Sequence, residues 1–409
     1  MSLFEKVPRR SQAFVRAALI DSAAAGILLG MVQPFAGVLA RRMGAGPYLL
    51  CLLSIAPFLG FVTSAIVPRL LYRYEWSRLM GMIRIFSRGA LISVYFIGSA
   101  APLIAVLVAL KVLTGWSKVL FGAMMKSNVY SQARPGVFKW VRSIGLMVSV
   151  PSAYLTGYLM DLDPSNYRLI FSAAGFLAML GAVFFFLVPE RPSQTVVREN
   201  RCSLFEEFIL LKKDRRFLVF MCVFFVGTLA EKLVMPIHPI FFADVLDLKY
   251  SEVGLAMGIV GPVLSVAGYL FWGKLLDRTD PVKILTLCMF VKGLRPALWA
   301  LAGVQGMPVM LLVAGGMGIF RFMISGLELS VLLSVIKRSD NASTPMYMGI
   351  HYSFMGLRGL LGPLIGVTMY NAGMNILSIY WVVTSLVILG GVALLFFSRW
   401  EKGVLKNRG

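Results

Sequence analysis

The chain has 409 residues, of which 58% are hydrophobic and 14% are charged. A soluble domain of this length needs a largely polar surface, so the composition excludes a soluble globular protein and indicates one that resides in a bilayer. The formal net charge of +21 does not indicate nucleic-acid binding, because a basic nucleic-acid surface requires a soluble body to carry it.

Apolar segments long enough to span a bilayer recur along the whole chain. The first block comprises Phe14–Leu39, Pro47–Val67, Leu79–Ser99, Leu103–Met124, Trp140–Met160 and Leu169–Val188. The second block comprises Phe217–Ile237, Val253–Trp272, Val282–Ala302, Met307–Val335, Met346–Tyr370 and Ile376–Phe397. The pattern predicts an all-α integral membrane protein with twelve transmembrane helices in two six-helix bundles, at residues 1–189 and 217–409. The polar stretch 190–216 is predicted to be the cytoplasmic linker between them.

The loops differ in their content of Lys and Arg, and positive residues near helix ends are retained on the cytoplasmic side. If the N-terminus is cytoplasmic, the cations of the outer loops are only Arg41, Arg42, Arg168 and Lys249. We therefore expect cytoplasmic N- and C-termini and a multi-pass protein of the inner (cytoplasmic) membrane of the cell. Anionic membrane lipid is the expected partner of the basic face.

Polar side chains inside the apolar segments recur at a near-constant interval. Glu231 follows Asp21 by 210 residues, and Arg321 follows Lys111 by the same 210. The third helix of each block behaves in the same way. Lys292 follows Arg84 by 208 residues, and Arg295 follows Arg88 by 207. These intervals predict two pseudo-symmetric halves that arose by duplication of a six-helix unit.

The loop after the second helix of each half carries a short basic motif. In the second half, Gly273, Asp277 and Arg278 belong to a GKLLDR segment that resembles the G-x-L-x-D-R loop of the major facilitator superfamily. The superfamily carries this loop after its second helix and, more weakly, after its eighth. In the first half, Arg69 and Arg73 are kept, while Pro68 and Tyr72 replace the glycine and the aspartate.

Two helices resemble the same superfamily. Lys111–Gly115 (KVLTG) is similar to its R-x-x-x-G motif in the fourth helix, with lysine in place of arginine. Gly359–Gly366 (GLLGPLIG) is similar to the glycine-proline motif that its antiporters carry in the fifth helix. The resemblance implies a fold in which helices 1, 4, 7 and 10 surround a central cavity. It implies that helices 3 and 9 are peripheral, so we expect their cations to contact lipid headgroups or helix ends. These cations are Arg84, Arg88, Lys292 and Arg295.

Intramembrane charges are costly and mark functional sites, so four of them are the predicted proton-coupling residues. The implied fold places Asp21 beside Lys111 and Glu231 beside Arg321. Each acid would carry the proton, and its cation would set the proton affinity. The alternative is two static ion pairs that fix helix packing. The predicted substrate-binding residues are Lys232, Glu328, His351 and Arg358. The predicted helix-bending residues are Pro34, Pro151, Gly362 and Pro363.

The sequence contains no Walker-type loop, nucleophile elbow or zinc motif, so we predict neither an enzyme nor a cofactor or metal requirement. We expect a monomeric secondary transporter that moves a small molecule by alternating access with proton coupling. The candidate cations outnumber the candidate acids, which favours an organic anion or zwitterion as substrate. Two alternatives stay open: an exporter of drugs, amphiphiles or lipids, and a non-transporting sensor or scaffold with the same fold.

Overall fold

The computed structural model of the protein describes residues 9–63, 75–130, 133–189, 214–338 and 344–406. All regular secondary structure in these ranges is helical. Ten helices in the described part are long and apolar enough to cross a membrane, and Pro47–Thr63 is a shorter apolar helix. The chain is therefore an all-α, multi-pass membrane protein. Most of the predicted linker, residues 190–213, lies outside the described residues.

The described part of the first half contributes six helices of 14 residues or more. They are α1 (Arg9–Met31), α2 (Pro47–Thr63), α3 (Trp76–Gly89), α4 (Ala100–Asn128), α5 (Arg134–Leu162) and α6 (Tyr167–Val183). Short helical pieces lie next to four of them. Ala36–Arg42 follows α1, a 3-10 helix at Ala90–Phe96 follows α3, Pro164–Asn166 separates α5 from α6, and Phe184–Leu187 follows α6.

Within the described ranges, the second half contributes six helices of 12 residues or more. They are α7 (Arg215–Leu233), α8 (Gly261–Leu276), α9 (Pro281–Lys292), α10 (Val309–Arg338), α11 (Thr344–Asn371) and α12 (Ile376–Lys406). A short helix at Ile237–Ile240 and a π-helix at Phe241–Val245 follow α7. Tyr250–Val253 and a π-helix at Gly254–Val260 precede α8, and Leu294–Ala302 follows α9.

Prolines interrupt the first helix of each half. Pro34 lies in a turn at residues 32–35 that separates α1 from its short continuation, and Pro236 lies in the turn that follows α7. A proline lacks the backbone N–H and its ring clashes with the preceding helical turn. Pro151 and Pro363 behave differently, because α5 and α11 continue through them. The interruption therefore occurs at one of the three predicted bending prolines, Pro34.

The chain divides into two compact units. The first contains residues 1–200 together with residues 248–259, and the second contains residues 201–247 and 260–409. Residues 248–259, here called the pre-α8 segment, thus pack with the first unit although they follow α7 in the chain. Each unit contains helices that contact one another extensively: α1 packs on α5 and α6 in the first, and α7 on α11 and α12 in the second.

Polar contacts hold the start of the pre-α8 segment against the first unit. The Asp161 carboxylate, near the end of α5, accepts hydrogen bonds from the backbone N–H groups of Tyr250 at 2.6 Å and Ser251 at 3.0 Å. Arg42 donates to the carbonyl oxygen of Leu248 at 2.7 Å, and its guanidinium lies 4.5 Å from the Tyr250 ring centroid. A carboxylate at this position satisfies backbone donors that the start of a helix leaves unpaired.

Glycines allow a close helix contact in the first unit. A Cβ atom at Gly26 would overlap the carbonyl oxygen of Gly145, and one at Gly30 would overlap the carbonyl oxygen of Ser149. These two glycines lie four residues apart on one face of α1, where small side chains let two helix backbones approach. The α1–α5 contact therefore depends on the absence of side chains at Gly26 and Gly30 of α1, and at Gly145 of α5, where a Cβ would lie 3.0 Å from Oγ of Ser22.

The corresponding contact in the second unit uses glycines on the other helix. A Cβ atom at Gly362 of α11 would overlap the Cβ of Lys232, and one at Gly366 would overlap the carbonyl oxygen of Leu233. Both partners lie at the end of α7. The glycine-proline motif of α11 therefore packs α11 against α7, and its predicted bending residue Gly362 serves this contact within a continuous helix.

Gly366→Ala is expected to lower the free energy of unfolding by about 1–3 kcal/mol, because the added methyl overpacks the α7–α11 contact. The measurement is thermal unfolding of the detergent-purified protein, followed by tryptophan fluorescence. Gly315→Ala is the matched control, since Gly315 lies inside α10 with open space around it. The control is expected to be neutral or slightly stabilising, as alanine favours helix. Equal unfolding midpoints for the two variants would contradict the packing role of Gly366.

Candidate functional site

Asp21, in α1, lies at the centre of a buried ion cluster. Its Oδ1 accepts a hydrogen bond from Nη1 of Arg88 at 2.7 Å, and its Oδ2 accepts one from Nη1 of Arg84. The two arginines are one helical turn apart on α3, so they face the carboxylate together. Asp21 is only 4% exposed. Two guanidinium groups therefore stabilise the ionised carboxylate in this Asp21 cluster (Asp21, Arg84 and Arg88).

Neighbouring groups fix both arginines of the Asp21 cluster. Arg88 also donates to the carbonyl oxygen of Ala178 in α6 at 2.7 Å. Arg84 lies 4.9 Å from the ring centroid of Phe185, a distance that permits a cation–π interaction. The α6 backbone comes close at Gly181, where a Cβ would overlap Ala24 of α1. The Asp21 cluster therefore connects α1, α3 and α6.

Lys111, in α4, has a different partner from the one predicted. Its Nζ donates to the carbonyl oxygen of Leu53 in α2 at 3.1 Å. Both oxygens of Asp21 are taken by the α3 arginines, so the predicted Asp21–Lys111 ion pair is wrong. The reason lies in helix packing. Gly60 and Gly115 bring the backbones of α2 and α4 into contact, and this contact directs Lys111 towards α2.

Glu231, in α7, lies in the corresponding cluster of the second half. Its Oε2 accepts a hydrogen bond from Nζ of Lys292 at 3.1 Å, and its Oε1 lies 3.5 Å from Nη2 of Arg295. Lys292 is the last residue of α9, and Arg295 lies in the short helix that follows. The Arg295 guanidinium also lies 3.8 Å from the Phe320 ring centroid. These three charged residues form the Glu231 cluster (Glu231, Lys292 and Arg295).

Arg321, in α10, is not an ion-pair partner of Glu231. It packs against Gly261 of α8, and its Nε is buried without a hydrogen-bond partner among the described residues. The predicted Glu231–Arg321 ion pair is therefore wrong, because Lys292 and Arg295 occupy the two carboxylate oxygens.

Each residue of the Asp21 cluster has its counterpart in the Glu231 cluster 207–210 residues later in the sequence. The expected position of the four third-helix and ninth-helix cations at the lipid boundary is wrong. Arg88 is 6% exposed, Lys292 2% and Arg295 5%, and the side chain of Arg84 is 12% exposed. Their contact with the acids was missed because peripheral helices were expected to hold peripheral charges. The signal that identifies them is the interval of 207–210 residues that acids and cations share.

The predicted substrate-binding cations lie at the contact between α7 and α11. Arg358 of α11 donates to Oγ1 of Thr228 at 2.6 Å, and its guanidinium lies 5.0 Å from the Phe224 ring centroid. Lys232 follows Glu231 on α7 and packs on Gly362. The structure therefore brings both cations close to the Glu231 cluster.

The other two predicted substrate-binding residues lie elsewhere on α10 and α11. Glu328 is exposed and accepts a hydrogen bond from the hydroxyl of Tyr269 in α8. His351 is buried, with its ring 6.1 Å from that of Phe224. Its Nδ1 has no hydrogen-bond partner in the described part of the chain. His351 lies two helical turns before Arg358, whereas Glu328 faces α8.

The loop motifs are only partly described. Arg69 and Arg73 lie outside the described residues. Gly273 lies near the end of α8 with open space around it, and Asp277 and Arg278 follow α8 as exposed residues.

The described residues contain no group of three or more His, Cys, Asp or Glu side chains that could hold a metal ion. The described cysteines, Cys51, Cys222 and Cys288, are free thiols. His238 packs in an aromatic cluster, where its Nδ1 lies 2.7 Å from the Tyr380 hydroxyl.

The sequence matches the family model of the Major Facilitator Superfamily over residues 17–344. The chain belongs to this superfamily. The match spans both ion clusters and confirms the resemblance seen in the loop and helix motifs. Members of the superfamily are transporters of small molecules and are generally not enzymes. Among curated protein sequences, none matches this chain significantly.

Solved structures of superfamily transporters share the fold. A variant of the nucleoside transporter NupG aligns with a TM-score of 0.72 at 12% identity, over 95% of this chain and 100% of that one. A D-xylose-proton symporter aligns with a TM-score of 0.69 at 11% identity, over 95% of this chain and 96% of that one. A bacterial metal transporter aligns with a TM-score of 0.64 at 14% identity, over 96% of this chain and 99% of that one. At identities of 11–14%, these likenesses show a shared fold; the three transporters are themselves named for different substrates.

Arg88→Ala is expected to lower the free energy of unfolding by about 3 kcal/mol, the lower end for breaking a buried ion pair, because Arg84 still contacts Asp21. Asp21→Asn combined with Arg88→Ala is expected to restore part of this loss. The measurement is thermal unfolding in detergent. Arg78→Ala is the control, since Arg78 forms an exposed ion pair with Glu75 at 2.6 Å, and such pairs contribute little. A loss as large in Arg78→Ala as in Arg88→Ala would argue against the Asp21 cluster.

Proposed function

We propose that the protein is a proton-coupled secondary active transporter that moves a small organic anion or zwitterion across the inner membrane by alternating access. The observation that carries this proposal is the presence of an ion cluster at equivalent positions of both halves, centred on Asp21 and Glu231. Ionisable groups inside transmembrane helices are costly, and they mark substrate or ion pathways. Membership of a superfamily of transporters supports the same function.

We further propose twelve transmembrane helices with both termini in the cytoplasm. The ten long apolar helices, α2 and the 28-residue α11 make up this number. The loop from α8 to α9 is flanked by basic residues, which supports a cytoplasmic position for it. These residues are Lys274, Arg278 and Lys283. A monomer is the proposed working unit, because each ion cluster is formed within one chain.

Proton coupling requires the protonation of an acid to favour one conformation over another. The Asp21 carboxylate is held in its ionised form by two guanidinium groups. A proton therefore binds to Asp21 when Arg84 and Arg88 withdraw. Protonation of Asp21 is thus linked to a rearrangement of α1 against α3, and this linkage is the proposed coupling step.

The charge inside the spans supports an anionic or zwitterionic substrate. Besides the cations of the two clusters, Lys111, Lys232, Arg321 and Arg358 lie within the helices, and Arg321 packs near Glu328 at the α8–α10 contact. Excess positive charge attracts anions and repels organic cations. An organic cation would require an acid that the surrounding arginines and lysines do not already neutralise.

Asp21→Asn is expected to reduce substrate uptake driven by an inward proton gradient to the level without a gradient, while exchange of labelled for unlabelled substrate persists. The substrate is first found by screening organic acids and amino acids for thermal stabilisation of the purified protein. The uptake measurement uses proteoliposomes and the labelled compound. Asp163→Asn is the control, because Asp163 is an exposed acid just after α5.

Full gradient-driven uptake in Asp21→Asn would contradict the role of Asp21. A purified protein that is neither stabilised by any compound nor able to transport one would instead favour a sensor or scaffold.

The topology is tested by cysteine labelling in a variant without the four native cysteines. Ser165→Cys, between α5 and α6, is expected to react with a membrane-impermeant maleimide on intact cells. Thr279→Cys, between α8 and α9, is expected to react only after the membrane is permeabilised. The reverse pattern would contradict the cytoplasmic placement of both termini.

A further inference from the structure

Glu231 is surrounded by more positive charge than it can neutralise. Lys292 and Arg295 contact its two carboxylate oxygens. Lys232, the next residue of α7, and Arg358 of α11 are near enough for their charges to interact with Glu231 and with the other cations. Lys292, Arg295, Lys232 and Arg358 are thus four cations around one acid, and these five residues have a formal net charge of +3. Arg321 of α10 acts on Glu231 as a further positive charge outside this group.

This charge is buried. Lys292 is 2% exposed, Arg295 5% and Arg358 8%. Like charges repel one another more strongly in a low-dielectric interior than in water. The Asp21 cluster holds two cations for one acid, and Lys111 is directed to α2. The surplus positive charge is therefore concentrated in the second half of the chain.

Two guanidinium groups of this region each have a buried donor that no described residue satisfies. The Nε atoms of Arg358 and Arg295 are buried and have no hydrogen-bond partner within the described ranges. The hydrogen bond that Arg358 donates goes to the neutral hydroxyl of Thr228. A guanidinium presents a planar set of five donors that matches a carboxylate or a phosphate.

We propose that Arg358, Arg295 and Lys232 form an anion-binding site in the second half of the chain. The site takes a carboxylate or phosphate group. The inference rests on the proposed function where this group is part of the transported substrate. Its ligand neutralises the surplus charge and accepts hydrogen bonds from the unsatisfied guanidinium donors. The Glu231 carboxylate is the internal anion with which this ligand shares the cations.

A linkage between protons and anions follows from this arrangement. Protonation of Glu231 removes its negative charge and raises the net charge of the group from +3 to +4, so an anion binds more tightly. The charged or titratable groups that act on Glu231 are Lys232 on its own helix, Lys292 and Arg295, Arg321 on α10, Arg358 on α11, and His238 after α7. Anion affinity is therefore expected to rise as the pH falls.

The site is tested by the thermal unfolding midpoint of the full-length protein in detergent. Sodium phosphate and sodium acetate are titrated against sodium chloride at equal ionic strength. At least one of the two probes is expected to raise the midpoint saturably, whereas chloride does not. Arg358→Gln is expected to weaken the apparent affinity for that probe about tenfold or more, the usual effect of losing a charged hydrogen bond. Arg168→Gln, an exposed arginine at the start of α6, is the control and is expected to behave as wild type.

Three further variants decide the outcome if Arg358→Gln does not fold. Lys232→Gln is expected to weaken binding, and Arg358→Lys, which keeps the charge, is expected to bind more tightly than Lys232→Gln. Glu231→Gln is expected to tighten binding and to remove its pH dependence. Unchanged affinity in the folded Arg358 and Lys232 variants would overturn the site. Equal, unsaturable effects of phosphate, acetate and chloride would overturn it as well.

A transport assay separates the failure of this site from the failure of the proposed function. Anion binding that Arg358→Gln weakens, without transport of any anion in proteoliposomes, supports the site and contradicts the transport function. Transport of an organic anion with an unchanged KM in Arg358→Gln overturns the site and leaves the transport function in place.

Discussion

An ionised carboxylate within a bilayer must be compensated by cations that the same fold supplies, since an isolated charge at a helix centre costs about 2.5–3.5 kcal/mol on the insertion scale. Both halves of this protein meet that requirement in the same way. The acid lies on the first helix of the half, and two cations come from the third helix or its direct continuation. The position of the acid therefore determines which helices have to pack against one another.

Close backbone contacts allow this arrangement, and the two halves place their glycines differently. Gly26 and Gly30 lie on the first helix of the first half, whereas Gly362 and Gly366 lie on the fifth helix of the second half. The same pair of helices is in contact in both cases. What the two halves share is the close approach itself, because either helix can omit the side chains that would prevent it.

The clusters differ in charge although they match in position. Asp21 is compensated by two arginines, while Glu231 lies among lysines and arginines that carry a larger surplus. This difference underlies the proposed division of roles. In the proposed mechanism, release of the arginines from Asp21 links a proton to a movement of α1, and the surplus positive charge around Glu231 attracts an anion. In this proposal, the two copies of one duplicated arrangement serve different roles, one for the proton and the other for the anion.

The sequence by itself determined the membrane class, the superfamily, the positions of the apolar helices, and the charged residues that correspond between the halves. These properties depend on hydropathy and spacing along one dimension. The tertiary structure decided which charges meet. Lys111 was expected beside Asp21, yet the α2–α4 contact directs it to Leu53, and Arg88 reaches the acid instead. Helix rotation and neighbouring backbones set such contacts, and neither is encoded in the spacing of residues along one helix.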